Sequence, residues 1–269
     1  MLVHPDFDPV ALSLGPIFGF GPLQVHWYGL MYLLGFLVGW ALGRFRARQP
    51  GSGWTVEQVD DLVFYIALGV LLGGRIGYIV FYNFSGFMDN PLLIFKIQQG
   101  GMSFHGGFLG VLLAMGLFAR KYHSRFWPTV DFIAPLVPPG ILFGRIGNFI
   151  NGELWGRVTD APWGMVFRHT GDGLPRHPSQ LYEAALEGVA LFLIVWLFSA
   201  KPRPTMAVSG VFALSYGMFR SLVELVRQPD AHLGYPGFGW LTMGQLLSLP
   251  MIAVGVALLV LAYRPQPLQ

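Results

Sequence analysis

Residues 129–150 form a long apolar run with Asp131 near its start, and it closes on Gly144-Arg145-Ile146-Gly147-Asn148-Phe149-Ile150-Asn151-Gly152-Glu153-Leu154-Trp155-Gly156-Arg157. A helix rising about 1.5 Å per residue needs roughly 20 such residues to cross about 30 Å of hydrocarbon. The run therefore predicts a membrane-spanning helix. Its polar end predicts a task, because hydrocarbon does not tolerate arginine, asparagine and glutamate without one.

The whole chain repeats the apolar pattern. Of 269 residues, 54% are hydrophobic and 12% charged, with a mean hydropathy of +0.53, too few charges to cover a soluble globule of this length. The apolar blocks are continuous and do not alternate residue by residue, so they predict helices and not a barrel. Spans are expected near 24–43, 58–82, 103–119, 129–150, 181–199, 206–226 and 242–263. The expected fold class is all-α, a polytopic membrane protein of seven transmembrane helices. It forms one membrane domain over 1–269, with a small loop subdomain on the outer face at about 151–180.

Basic residues set the orientation. Arg44, Arg46 and Arg48, then Arg120, Lys121 and Arg125, then Lys201 and Arg203, then Arg264 follow alternate spans. All fall on one side, which the positive-inside rule makes cytoplasmic, leaving the N-terminus outside. The first twenty-odd residues hold Asp6 and Asp8 but no Lys or Arg, and read as a translocated tail instead of a signal peptide. A net charge of +3 follows from the same rule, and nucleic acid is not an expected partner. The chain has no cysteine, so any sulfur chemistry must use a substrate's sulfur. No H-E-x-x-H or comparable ligand set is present, and neither metal nor cofactor is expected.

On a continuing helix, Arg145, Asn148 and Asn151 fall within an arc of about 120°, with Glu153 flanking. A guanidinium and two amides suit a phosphodiester; the alternative is a buried network in which Glu153 neutralises Arg145 or Arg157. Tyr216, Arg220 and Glu224 follow one another at four-residue spacing, with Arg227 three further on. They read either as an Arg220–Glu224 ion pair or as an anion site. His105 opens the third span beside Gly106 and Gly107, which would leave room for something bulky. Tyr28 opens the first span, and His177 precedes the start of the fifth, where free backbone N–H groups can bind an anion. Arg75 lies in Gly73-Gly74-Arg75-Ile76-Gly77; its glycines suit close helix packing, while its charge at depth requires a carboxylate or a ligand. His105, Arg145 and Arg220 all belong to the outer halves of their spans, which predicts one pocket at lipid level.

These residues carry a family resemblance. The pattern G-R-x-G-N-F-x-N-x-E-x-x-G over 144–156, His-Gly-Gly at 105–107, H-P-S-Q-L-Y-E at 177–183 and Tyr-Gly-x-x-Arg through Arg-Gln-Pro-Asp at 216–230 together resemble prolipoprotein diacylglyceryl transferases of bacterial plasma membranes. The resemblance implies transfer of the diacylglyceryl group of phosphatidylglycerol to the lipobox cysteine of a prolipoprotein signal peptide, forming a thioether and releasing glycerol phosphate. It also implies an inner-membrane enzyme with membrane lipid as a further partner, a periplasmic N-terminus and a cytoplasmic C-terminus. On this reading His105, Arg145 and Arg220 are catalytic. Tyr28, Asn148, Asn151, Glu153, Gly156, His177, Tyr216, Glu224 and Arg227 bind substrate. His105 is either the base for a thiol of pKa about 8.5 or a positioning group, and the arginines stabilise the leaving phosphate. The rival class is a transporter or channel for an anionic solute, which Asp60, Asp61 and Asp131 nearer the inner side would favour.

Overall fold

The apolar blocks fold as helices in the computed structural model of the chain, which describes residues 2–17, 20–96, 100–229 and 239–265. In order these are strands β1 (Leu2–Val3), β2 (Val10–Ile17) and β3 (Phe20–His26), then helices α1 (Trp27–Ala47), α2 (Val56–Tyr82), α3 (Phe84–Asp89), α4 (Phe104–Lys121), α5 (Phe126–Ile133) and α6 (Val137–Ile150). Strands β4 (Met165–Val166) and β5 (Pro175–Arg176) follow. Next come α7 (Ser179–Glu183), a π-helical segment (Ala184–Ala190), α8 (Leu191–Phe198), α9 (Ala207–Val223) and α10 (Met243–Ala262). Among the described residues, five helical stretches are long and apolar enough to cross a membrane: α1, α2, Phe126–Ile150, Ser179–Phe198 and α10. Helix α9 is apolar but shorter, and α4 ends on Arg120 and Lys121.

The fold is mostly helical but not all-α. Residues 10–26 carry Pro16 and Pro22, which remove N–H donors a helix needs, and they pair as an antiparallel hairpin with Val10 opposite His26. The Gly- and Pro-rich stretch from 151 to 178 supplies β4 and β5, which β1 completes as a sheet of order β1-β4-β5.

The chain divides into two compact units, Trp40–Val130 and Met1–Gly39 with Asp131–Gln269. In the first, α2 and α4 meet through glycines. A Cβ on Gly73 would overlap the Gly106 carbonyl oxygen, and one on Gly77 would lie 2.6 Å from Gly106 Cα. Small residues at this spacing let the backbones touch. Gly106 thus faces α2 and does not open space beside His105. Arg75 is 5% exposed and spends its donors on backbone carbonyls: Ile94 (3.2 Å), Gly100 (2.6 Å), Gly101 (3.0 Å), Lys96 (3.1 Å) and Leu93. Five carbonyl dipoles take the place of the carboxylate or ligand expected from the sequence. Asp60 accepts from Trp40 Nε1 (2.6 Å) and lies 3.4 Å from Arg44, while Asp61 pairs with Lys121 and Tyr122.

In the second unit, Asp131 caps α9 from another helix. Its carboxylate accepts the N–H groups of Met206 (2.6 Å) and Ser209 (2.8 Å) and the Ser209 hydroxyl (2.5 Å), satisfying donors the helix start leaves open. Below it, Ala134, Leu191, Val195 and Val208 form a buried core. These local partners account for Asp60, Asp61 and Asp131, the residues that had favoured a transport path.

The glycine contact is directly testable. Gly73→Val should cost about 1–3 kcal/mol by overpacking and lower the thermal unfolding midpoint of the detergent-solubilised protein. Gly116→Val, on the partner helix α4 but with open space around its Cβ, should leave the midpoint unchanged or higher.

Candidate active site

Helix α6 ends in a turn that its sequence dictates. The Glu153 N–H bonds the Asn148 carbonyl (3.1 Å) and the Gly152 N–H bonds the Phe149 carbonyl (2.9 Å), with Gly152 at φ 63. This is a Schellman motif, whose left-handed position favours glycine. It folds Glu153 back, so that its Oε1 accepts from Asn148 Nδ2 (2.8 Å) and Asn151 Nδ2 (3.4 Å). Leu154 follows at φ 59, an uncommon conformation without glycine, and its carbonyl accepts the Ser179 hydroxyl (2.9 Å). Gln180 Nε2 donates to the Glu153 carbonyl at 2.5 Å. Tyr28 of α1 packs on Gly147, where an added Cβ would lie 3.0 Å from Tyr28 Cδ2, and neighbours Asn148 and Glu153.

One turn earlier, α6 approaches the π-helical segment so closely that a Cβ on Gly188 would lie 2.7 Å from Leu142 Cβ. That contact brings Arg145 onto Glu183 (3.1 Å) and Glu187 (3.6 Å). Arg220 of α9 hydrogen-bonds Glu183 and Glu224 and lies 3.7 Å from Glu187. Arg227 lies 3.4 Å from Glu183 and 3.9 Å from Glu224. Three arginines and three glutamates thus balance in formal charge. They are also layered: the Glu183 and Glu187 side chains are fully buried, whereas Arg145 keeps 19% and Arg220 13% of its side chain exposed. Among the described residues no hydrogen bond engages the Arg145 guanidinium, and both Glu187 oxygens lack one as well.

The sequence had offered Glu153 as the neutraliser of Arg145 or Arg157. Instead Glu153 forms no ion pair among the described residues, and the counter-charges of Arg145 come from Glu183 and Glu187. Neither glutamate had been singled out as a site residue. An ionisable residue inside a span was the available signal.

Gly156 sits where three backbone segments meet. Its N–H donates to the His177 carbonyl (2.8 Å), the Arg157 N–H donates to the Val226 carbonyl (2.8 Å), and a Cβ on Gly156 would lie 2.6 Å from both His177 Cβ and the Val226 oxygen. Trp163 Nε1 donates to the Tyr182 hydroxyl (2.7 Å), which lies 3.1 Å from His177 Nδ1. Burial holds the His177 pKa below its ordinary value, so Nδ1 suits the acceptor role there. Tyr216 stacks on Phe212 (6.1 Å between centroids) and neighbours Glu187 and Arg220. Tyr28, Arg145, Asn148, Asn151, Glu153, Gly156, His177, Tyr216, Arg220, Glu224 and Arg227 therefore all belong to one unit. His105 belongs to the other, exposed in the first turn of α4 with its ring edge-on to Phe104 (5.7 Å). Asp230, the last residue of the Arg-Gln-Pro-Asp run, lies outside the described residues.

These features define a helical membrane protein with a buried, charge-balanced arginine site beside a polar helix end. The chain belongs to the prolipoprotein diacylglyceryl transferase family, whose sequence pattern matches residues 16–261. It is 64% identical over 264 residues to the phosphatidylglycerol–prolipoprotein diacylglyceryl transferase of Oleidesulfovibrio alaskensis, covering 98% of this chain and 96% of that one. Relatives of the same name in Solidesulfovibrio magneticus and Coxiella burnetii are 63% identical over 260 residues (96% of each chain) and 58% over 264 (98% of each).

Two measurements test this geometry. Glu183→Gln should lower stability by about 3–5 kcal/mol, because it strips a buried partner from three guanidiniums, whereas Glu153→Gln should cost about 1 kcal/mol; denaturant unfolding compares them. Arg176, the Thr170 hydroxyl and the Leu174 N–H hold the Asp172 carboxyl down to about 2. A depressed folded pKa adds stability above the unfolded value near 3.8, and that stability is lost as pH falls towards 2. Carboxyl-carbon NMR titration of Asp172 should give a midpoint near 2 that rises in Arg176→Gln.

Proposed function

We propose that this chain transfers the diacylglyceryl group of phosphatidylglycerol to the lipobox cysteine of a prolipoprotein. The cysteine sulfur attacks the glyceryl carbon that carries the phosphate. A carbon–sulfur bond forms, the carbon–oxygen bond breaks with its electrons passing to the phosphate, and glycerol phosphate leaves. The observation that carries this reading is the layering of the cluster: guanidiniums lie partly exposed over carboxylates that water does not reach.

The chemistry explains why such a layer is useful. The phosphodiester carries about one negative charge and the departing monoester gains a second, which fixed cations in a low-dielectric site stabilise without reorganising. Arg145, ion-paired with Glu183 and Glu187 but 19% exposed, is assigned to the phosphate oxygens, and Arg220 to the developing charge. Glu183, Glu187 and Glu224 hold the guanidiniums in place. Asn148, Asn151 and Glu153 offer amides and a carboxylate to the head group, which Tyr28 and Tyr216 orient. Arg227, Gly156 and His177 frame the same region through the ion pairs and backbone crossings described above. His105 is assigned as the base on chemistry alone, since an unprotonated imidazole nitrogen can accept a thiol proton. We further infer one membrane domain of seven crossings in the inner membrane. Helices α4 and α9 complete the seven, the N-terminus is outside, the C-terminus is inside, and the 151–180 region lies at the outer face.

Purified protein in phosphatidylglycerol nanodiscs should add the mass of one diacylglyceryl group to a lipobox peptide and none to its Cys→Ser counterpart. Arg145→Lys and Arg220→Lys should each lower turnover by about 10²–10³. His105→Gln should lose activity. Equal modification of the Ser peptide would overturn the thiol mechanism, and full activity in all three variants would overturn the site assignment.

A further inference from the structure

The N-terminal residues reach the polar end of α6. Strand β1 pairs with β4, the His4 N–H donates to the Val166 carbonyl (2.9 Å), and Asp6 pairs with Arg168 (2.9 Å). This seats the His4 ring, 2% exposed, against Phe167 (5.2 Å, stacked) and edge-on to Phe149 (5.0 Å). Its Nδ1 accepts the Asp6 N–H at 3.2 Å and so carries no proton. In a neutral imidazole the other nitrogen must then carry it, and Nε2 donates to the Phe149 carbonyl at 2.6 Å.

That carbonyl has a second task. It accepts the Gly152 N–H that closes the turn ending α6, one residue after Asn148, whose side chain holds Glu153. The ring also borders Gly152 itself, where an added Cβ would lie 3.4 Å from His4 Cε1. Last-turn carbonyls have no partner within their own helix, and here a distant residue supplies one.

We propose that His4 is a positioning residue for the Asn148–Glu153 turn. It fixes the Phe149 carbonyl and thereby the amides and carboxylate that the turn presents; its kinetic consequence rests on the transferase reading. His4→Phe keeps a ring against Phe167 but removes the donor. His4→Gln restores a donor near the Nε2 position. In His4→Phe, hydrogen exchange at the Gly152 and Glu153 amides should accelerate about tenfold, and kcat in the nanodisc assay should fall about tenfold with the peptide KM unchanged. His4→Gln should recover both. Unchanged exchange at Gly152 and Glu153, equal acceleration throughout α9, or wild-type kcat in His4→Phe would each overturn the proposal. If exchange responds as expected while no protein, wild type included, transfers lipid, the anchor stands and the transferase reading falls.

Discussion

Three guanidiniums converge on Glu183, a carboxylate that water does not reach. In a low-dielectric interior neither sign of charge survives alone, so each side of this cluster holds the other in place. The requirement propagates outward. Arg145 comes from α6, Glu183 and Glu187 from the start of the next long helix, and Arg220 and Glu224 from the end of α9, so these elements must meet at one depth. The Leu142–Gly188 contact sets the spacing, because any side chain at 188 would push α6 and its arginine away.

Around the cluster, polar backbone is satisfied by other polar backbone. The segments near Gly156, His177 and Val226 exchange backbone hydrogen bonds, which satisfies the N–H groups of Gly156, Arg157 and His177 where the chain is irregular. The Schellman turn at Gly152 belongs to the same economy. It redirects the chain at the end of α6 and turns Glu153 back onto two amides. The positive φ of Leu154 is held by the Ser179 hydroxyl on its carbonyl, a strained residue fixed by its surroundings.

Much of the helical framework was legible in the sequence, since only apolar length and continuity are needed to see it. The expected runs at 58–82 and 129–150 correspond closely to Val56–Tyr82 and Phe126–Ile150. The glycines at 73 and 77 also read correctly as packing, because small residues at four-residue spacing have a plain steric meaning. The strands were not legible. The hairpin over 10–26 is apolar on both strands and lacks a clear two-residue alternation, and β1, β4 and β5 are each two residues long. Arg75 shows a different limit. Its partners are carbonyls, which every residue carries, so no residue type could have announced them.

The sequence by itself determined which groups had to be explained: charges at the ends of apolar blocks, a glycine where α6 must turn, and a family pattern running from one end of the chain to the other. Only the tertiary structure decided who neutralises whom. Glu153 is eight residues from Arg145 and looked like its partner, yet the chain reverses at Gly152 and gives Glu153 to Asn148 and Asn151. The carboxylates that meet Arg145 lie 38 and 42 residues further along the chain, at 183 and 187. Sequence separation says nothing about such a pairing, because Coulomb energy depends on distance and burial, and both are products of helix packing.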